Sequence, residues 1–306
     1  MTASHRVSMC LAMALSTLAN AQELEQKPGE VEFALHLGGG YRFNTDLEGG
    51  GDVAVARLLG AIESKIQLSR GWSMEMKFDY IYDQYDFSPI TRFGGIRPWD
   101  DVHTFDAVIN FEWAVAQDWT LFMGPVFQLS AEDGADLTDS LAGGGFAGVV
   151  YRFSDSLTFG GGLALTTQIE DDILVLPLLV LHWQIRDNLR LSTRPATGAT
   201  GFYFILELVY DLGGSWEVAV GGAWERRRFR LTGGDSAPMP NGVGQTSGLP
   251  VWLRLSKRWG NGLEIELFGG FSFNGEYELY NSSGDSRGAL DIDPQPFLSG
   301  FLTWRF

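Results

Sequence analysis

The stretch Trp72-Ser73-Met74-Glu75-Met76-Lys77-Phe78-Asp79-Tyr80-Ile81-Tyr82 decides the fold. Its even positions are aromatic or Met. Its odd positions are Ser, Glu, Lys, Asp and then Ile. Period two over this length describes a strand whose two faces meet unlike surroundings. The apolar face is large and aromatic, and the other is largely charged. A strand with lipid on one side and water on the other has this composition.

The pattern recurs outward from that stretch. Phe105, Ala107, Ile109, Phe111, Trp113 and Val115 alternate with a face holding Asp106, Asn110 and Glu112. Phe202, Phe204, Leu206, Leu208 and Tyr210 alternate with Tyr203, Glu207 and Asp211. Leu263, Ile265 and Leu267 alternate with Glu264 and Glu266. Many of these runs reach about ten residues, the length a tilted membrane strand needs, against five or six in a soluble sheet. Short polar turns, such as Arg70-Gly71, Gln117-Asp118 and Asp187-Asn188, are each followed by Trp or Leu. Longer polar connections alternate with them, near 44–52, 86–101, 131–141, 195–200, 232–248 and 281–295; a short link near 170–172 breaks the rule. Short periplasmic turns opposite longer extracellular loops are the asymmetry of an outer-membrane barrel. The Trp residues at strand starts then form a girdle at the periplasmic interface, joined by Trp113, Trp183, Trp259 and Trp304.

The expected fold is all-β: a closed antiparallel transmembrane β-barrel of about fourteen strands. These fall near 30–43, 53–69, 72–85, 102–116, 119–130, 142–153, 157–169, 173–186, 188–194, 201–212, 215–231, 249–259, 262–279 and 297–306. Twelve is possible if the pair 173–186 and 188–194 is lost. Closure is required because lipid offers a backbone amide no partner. Gly38 to Gly40 and Gly160 to Gly162 relieve crowding where strands bend. Pro125 and Pro177 fall on the lipid face, and each implies a bulge or a local break in the ladder.

Export precedes the fold. His5 and Arg6, the apolar run Met9 to Leu18 and Ala19-Asn20-Ala21 have the layout of a signal peptide over residues 1–21. A short periplasmic segment follows at 22–29, and the barrel occupies 30–306. Cys10, the single cysteine of the 306 residues, lies within the leader, so the mature chain has no thiol chemistry. The formal net charge of -16 argues against nucleic-acid binding. The mean hydropathy of -0.02 suits a wall with one wet face. At the other end Leu302, Trp304 and Phe306 alternate outward. This resembles the C-terminal signal read by the outer-membrane assembly machinery, with Trp304 and Phe306 as its core.

The inward positions form a lumen charged with both signs: Glu63, Lys65, Glu75, Lys77, Asp79, Asp106, Glu112, Arg152, Arg190, Glu207, Glu217, Arg227, Arg254, Glu264, Glu266 and Arg305. The plainer reading is that they solvate and brace the lumen rather than form a selectivity filter. Arg226, Arg228 and Arg230 stand at the outer end of a strand, where Phe229 and Leu231 reverse the alternation set by Trp216, Val218 and Val220. The reversal implies a bulge or a wall that has left the membrane. These arginines could contact phosphates of lipopolysaccharide or other anions; the plainer reading is neutralisation of nearby acidic loops. Those loops (Asp46, Glu48, Asp52; Glu132, Asp133, Asp136, Asp139; Asp285, Asp291, Asp293) lack the spacing of a calcium loop. Gly143-Gly144-Gly145-Phe146-Ala147-Gly148 fits G-x-G-x-x-G but leads into a strand, so the dinucleotide reading fails. No catalytic, cofactor or metal site is expected. His36 and His182 face the lumen, His103 lies near an outer strand end, and nothing marks a serine beside them.

The turn-Trp/Leu starts, the aliphatic strand Ile173 to Ile185 with Pro177, the strand Trp216 to Leu231 ending in Arg228-Phe229-Arg230-Leu231, and the terminal Phe306 strand together resemble the DUF6268 family of bacterial outer-membrane β-barrel proteins. The resemblance implies an outer-membrane barrel and no activity. The function expected first is a pore or channel for small solutes, with outer-membrane lipid and lipopolysaccharide around it. A non-conducting surface-binding or structural barrel comes second, and a barrel-wall lipid hydrolase last.

Overall fold

The computed structural model describes residues 28–90, 97–194, 202–233 and 239–306. The expected leader lies outside the described residues, as do the loop positions 91–96, 195–201 and 234–238. The strands are β1 (Val31–Asp46), β2 (Asp52–Ser69), β3 (Trp72–Phe87), β4 (Val102–Ala116), β5 (Trp119–Glu132), β6 (Leu141–Ser154), β7 (Leu157–Gln168), β8 (Asp171–Arg186), β9 (Leu189–Arg194), β10 (Phe202–Gly213), β11 (Trp216–Arg230), β12 (Val243–Arg258), β13 (Leu263–Tyr280), β14 (Ser286–Ile292) and β15 (Gln295–Arg305). Each pairs antiparallel with its neighbour in sequence from β1 to β13, and β15 pairs with both β13 and β1, which closes the ring.

The wall has fourteen strands, because β14 and β15 are one descending strand. Both pair with β13, and the register runs through unshifted from Gly275↔Ile292 to Ser272↔Gln295. The break falls at Asp293 and Pro294, where the proline has no N–H to give the ladder. The loop expected over 281–295 is therefore a turn at 281–285, and the last strand starts well above 297. β12 likewise begins at Val243 rather than near 249. Polar residues such as Gln245 and Ser247 hid it, since alternation with lipid ends where the wall leaves the membrane.

The period-two faces fall as the sequence requires. Leu58, Phe78, Phe105, Leu163, Ile173 and Leu253 stand exposed on the outside. Their register partners across neighbouring strands share that face. Strand starts and ends carry the aromatic girdle: Trp72 stacks on its cross-strand partner Trp113 at 5.1 Å, Trp119 lies against Tyr151, and Phe306 sits between Phe33 and Trp304. Gly71 at φ 82° and Gly262 at φ 81° permit the tight periplasmic turns. Pro125 interrupts pairing with β4 locally but shifts no register, and Pro177 pairs in register with Leu163. Neither makes a bulge. Gly148 answers to packing: a Cβ there would collide with the Phe122 ring inside the barrel.

One of the register shifts shapes the outer mouth. The β12–β13 register shifts between Ser247 and Leu249, and Asn274 opposite takes φ 49°. Asn tolerates that left-handed conformation better than most side chains. A bulge adds twist and bends the strand. Above it the outer ends of β11, β12 and β13 leave the cylinder.

Candidate functional site: the lumen and its closed outer mouth

The lumen has three sectors. On β2 to β4 the inward face carries Glu63, Lys65, Glu75, Lys77, Asp79, Asp106 and Glu112, with Lys77 3.3 Å from Asp79 and Gln128 donating to Asp106 at 2.9 Å. Across the barrel a second sector centres on Arg254. Its guanidinium reaches Glu207 at 2.9 Å and Glu266 at 3.1 Å, with Glu217 at 3.8 Å. The Trp252 indole also donates to Glu207. Arg190 pairs with Glu217 at 2.8 Å, and Arg305 and Arg258 both pair with Glu264. Arg152 lies lower, beside Asp118 of the adjacent periplasmic turn. These charges sit on the wall, and Arg227 stands apart from them at the outer mouth.

The third sector was not anticipated. Val108, Phe122, Val126, Phe146, Val150, Ala164, Leu174, Leu176, Leu178 and Val180 form one apolar cluster on the inner side of β4 to β8. The run Ile173 to Leu181 contains the signal. Leu174, Leu176 and Leu178 point inward while Ile173 and Val175 are exposed outward, and a strand apolar on both faces has no wet side.

At the outer mouth β11 crosses the lumen. Arg230 forms a parallel bridge with Ala131 of β5, almost opposite in the ring. Just below, Arg227 pairs with Asp83 of β3, and Glu225 is held by Arg42 of β1 and, at 3.2 Å, by Arg57 of β2. Arg57 also donates to Asp83 at 2.6 Å. Arg227 and Asp83 are 1 % and 0 % exposed, so that pair is sealed from water, while Arg42 and Arg57 are partly exposed. Such a set is tolerable only because each charge meets an opposite one. Above it lies an aromatic cap. The Trp99 ring, from the β3–β4 connection, takes Tyr85, Phe87, Phe229 and Tyr277 edge-on at 5.1 to 5.7 Å. Aliphatic residues including Val53, Val55, Val102, Leu231, Leu279 and Leu290 complete this cluster. Glu132 ties it together by accepting the backbone N–H groups of Asp100 and Thr232, each at 2.7 Å.

The reversal of alternation in β11 is thereby explained. β11 keeps one register with β12 from Trp216 to Arg230, so it has no bulge. Its faces change surroundings instead: Glu225, Arg227 and Phe229 turn into the mouth, and Arg226, Arg228 and Arg230 lie on the outer face, yet buried. Arg228 donates to the Ile169 and Glu170 carbonyls, pairs with Asp171 at 3.0 Å and lies over the Tyr280 ring at 4.4 Å. Arg230 donates to the Asp139 and Asn241 carbonyls and pairs with Glu170 at 2.7 Å. Arg226 donates to Gln245 at 2.6 Å. The rim arginines are thus turned toward the chain itself. The short β7–β8 turn, which broke the loop-length pattern, is the segment that Arg228 and Arg230 hold.

Arg42, Arg57, Asp83 and Glu225 were missed, although all were legible, Glu225 by the parity of Glu217 and Arg227. Arg57 shares the parity of Glu63, and Asp83 that of Asp79, and Arg42 that of His36. Trp99 lies in an irregular connection and carried no signal. Among the histidines, His36 meets Thr303 Oγ1 at 2.9 Å and Glu63 at 3.4 Å. This Thr–His–Glu chain is buried on the inner wall, away from the lipid a hydrolase would attack. His103 accepts or donates with the Tyr80 hydroxyl near the outer edge, as its sequence position implied. Among the described residues no cluster of His, Cys, Asp or Glu could hold a metal ion.

No family model and no curated protein matches the chain. Among solved structures it is similar to an outer-membrane channel from Pseudomonas putida F1, at 7 % identity and TM-score 0.48 over 94 % of this chain and 98 % of that one. It is also similar to a Pseudomonas aeruginosa FadL homologue, at 11 % identity and TM-score 0.48 over 97 % and 98 %. Pseudomonas aeruginosa OccK7 follows at 9 % identity and TM-score 0.39 over 91 % and 99 %. The functional reading therefore rests on this chain's own residues.

Proposed function

We propose that the protein is an outer-membrane channel for small solutes, held shut at its outer mouth by the folded-in end of β11. The observation that carries this reading is the bridge from Arg230 to Ala131 across the lumen. A barrel of this strand number is wider than its side chains alone need to fill. Here the outer closure comes from one wall segment lying across the mouth, fastened by ion pairs and an aromatic cap. Contacts of that kind can be exchanged for water, which is what a gate requires. The same reading puts the barrel in the outer membrane, with lipid and lipopolysaccharide at its apolar belt and Trp304 and Phe306 as its assembly signal.

A cysteine pair tests it. The only native cysteine is Cys10, in the expected leader, so Ala131→Cys with Arg230→Cys places two thiols at the bridge. Oxidation should lock the refolded protein silent in a planar bilayer, and reduction should release discrete current steps. Equal current in both states removes β11 as the gate. Silence in both, from a folded barrel, favours the second reading, a non-conducting structural or surface-binding barrel. One observation already supports that alternative: Arg254 and Glu207 are 3 % and 0 % exposed, so part of the lumen is packed rather than wet.

A further inference from the structure

We propose that the open lumen passes small cations in preference to anions, selected by a pair of inner-wall carboxylates, Asp79 of β3 and Asp106 of β4; this solute class rests on the channel reading above. The two residues are directly paired in register and share the inner face. Residues so opposed have Cβ atoms about 4.5–5.5 Å apart, and like charges there repel. Asp79 and Asp106 are 3 % and 5 % exposed in the closed barrel, where a charge is costly unless it is paired. Lys77 Nζ lies 3.3 Å from Asp79 Oδ1. Gln128 donates to Asp106 Oδ1 at 2.9 Å, but its amide is neutral. Even with Lys77 assigned wholly to Asp79, a full negative charge stays with Asp106.

The individual oxygens carry the same message. Asp79 Oδ2 and Asp106 Oδ2 each lack a hydrogen-bond partner among the described residues. Buried carboxylate oxygens are normally bonded, so these two mark a place on the inner wall that attracts positive charge. Oxygen ligands of this kind suit hard cations, and carboxylates lining a pore select cations in the same way. The surplus belongs to this sector. On β2 to β4 below the mouth, five inward carboxylates stand against the two ammoniums of Lys65 and Lys77. Around Arg254, by contrast, four carboxylates and four guanidiniums balance, each of them ion-paired. At the mouth one guanidinium is in excess, which puts the selecting step deeper, at the aspartate pair.

The test uses the full chain with Ala131→Cys and Arg230→Cys, reduced so that the mouth is free, refolded into neutral phosphatidylcholine bilayers under a potassium chloride gradient. The reversal potential should give a potassium-to-chloride permeability ratio of about ten or more, because a low-dielectric wall of one sign raises the local counter-ion concentration by at least about that factor. In that background Asp106→Asn should lower the ratio several-fold, and Asp79→Asn with Asp106→Asn should abolish most of it. Asp136→Asn removes the same charge from an exposed outer position and should move the ratio far less. Only proteins with the heat-sensitive gel mobility of a folded barrel are compared. A ratio at or below one in the parent, a ratio unchanged in both aspartate variants, or an equal effect of Asp136→Asn would overturn the proposal. Current without this selectivity overturns it alone, whereas silence of the reduced, folded parent overturns the channel reading and the selectivity with it.

Discussion

Replacing Asp83 by Asn should spring the outer mouth. In the native network three guanidiniums, Arg42, Arg57 and Arg227, meet two carboxylates, Asp83 and Glu225. The substitution leaves three cations against one anion, in a site where Arg227 is 1 % exposed. Stranding one member of a buried ion pair costs about 3–5 kcal/mol. The Asn oxygen can still accept from Arg57, so the lower end, about 3 kcal/mol, applies. The cost falls on the closed form, because in an open mouth water solvates Arg227. At 1.4 kcal/mol per tenfold, the open-to-closed ratio should rise roughly a hundredfold. Single-channel recording of refolded wild type and Asp83→Asn in planar bilayers reads that ratio directly as time open. Matched gel mobility before and after heating would show that both are folded. An open fraction unchanged, or lowered, in a folded Asp83→Asn protein would refute the argument that this network holds β11 across the lumen.

Three further outcomes follow from the wall itself. Leu58→Arg, on the lipid face at 63 % exposure, should cost about 2–4 kcal/mol at mid-membrane depth, read by urea unfolding in lipid vesicles; a loss under 0.5 kcal/mol would mean Leu58 lies outside the apolar belt. Arg254→Met leaves Glu207 and Glu266 buried without their shared partner and should destabilise by about 3–5 kcal/mol; adding Glu207→Gln should restore part of this, and strict additivity in that cycle would deny the coupling. Gly148→Val drives a side chain into the Phe122 ring and the Gly161 carbonyl and should cost about 1–3 kcal/mol in the same unfolding assay; unchanged stability would refute the close packing.

The wall was legible because a strand between lipid and water writes its two faces into alternate residues. That is why Trp72 to Phe87 came out nearly to the residue. Turn chemistry supplied the rest: Arg70-Gly71 and Gln117-Asp118 marked the periplasmic ends. Legibility failed wherever a face met something other than lipid or water. Gln245 and Ser247 belong to β12 but face a polar cavity, so their strand read as loop. The inner leucines of β8 carry no charge to mark a lumen face, and they cluster with Phe122 and Phe146 inside the barrel.

What the amino-acid order determined by itself is therefore local: which residues extend, where they turn, and which face of each strand must avoid water. Those properties depend on neighbours one or two residues away, and closure follows because an unpaired edge cannot sit in lipid. The path of β11 was decided only by tertiary structure. Arg227 reads as one more lumen charge on a wall, yet its partner is Asp83, 144 positions away on the facing side. Trp99 reads as a loop residue, yet four rings converge on it, two of them, Phe229 and Tyr277, from strands distant in sequence. Whether a charged strand end stands as wall or folds inward depends on which opposite charges and rings the closed barrel brings within reach, and that distance is set by the circumference of the ring, not by the chain near the residue.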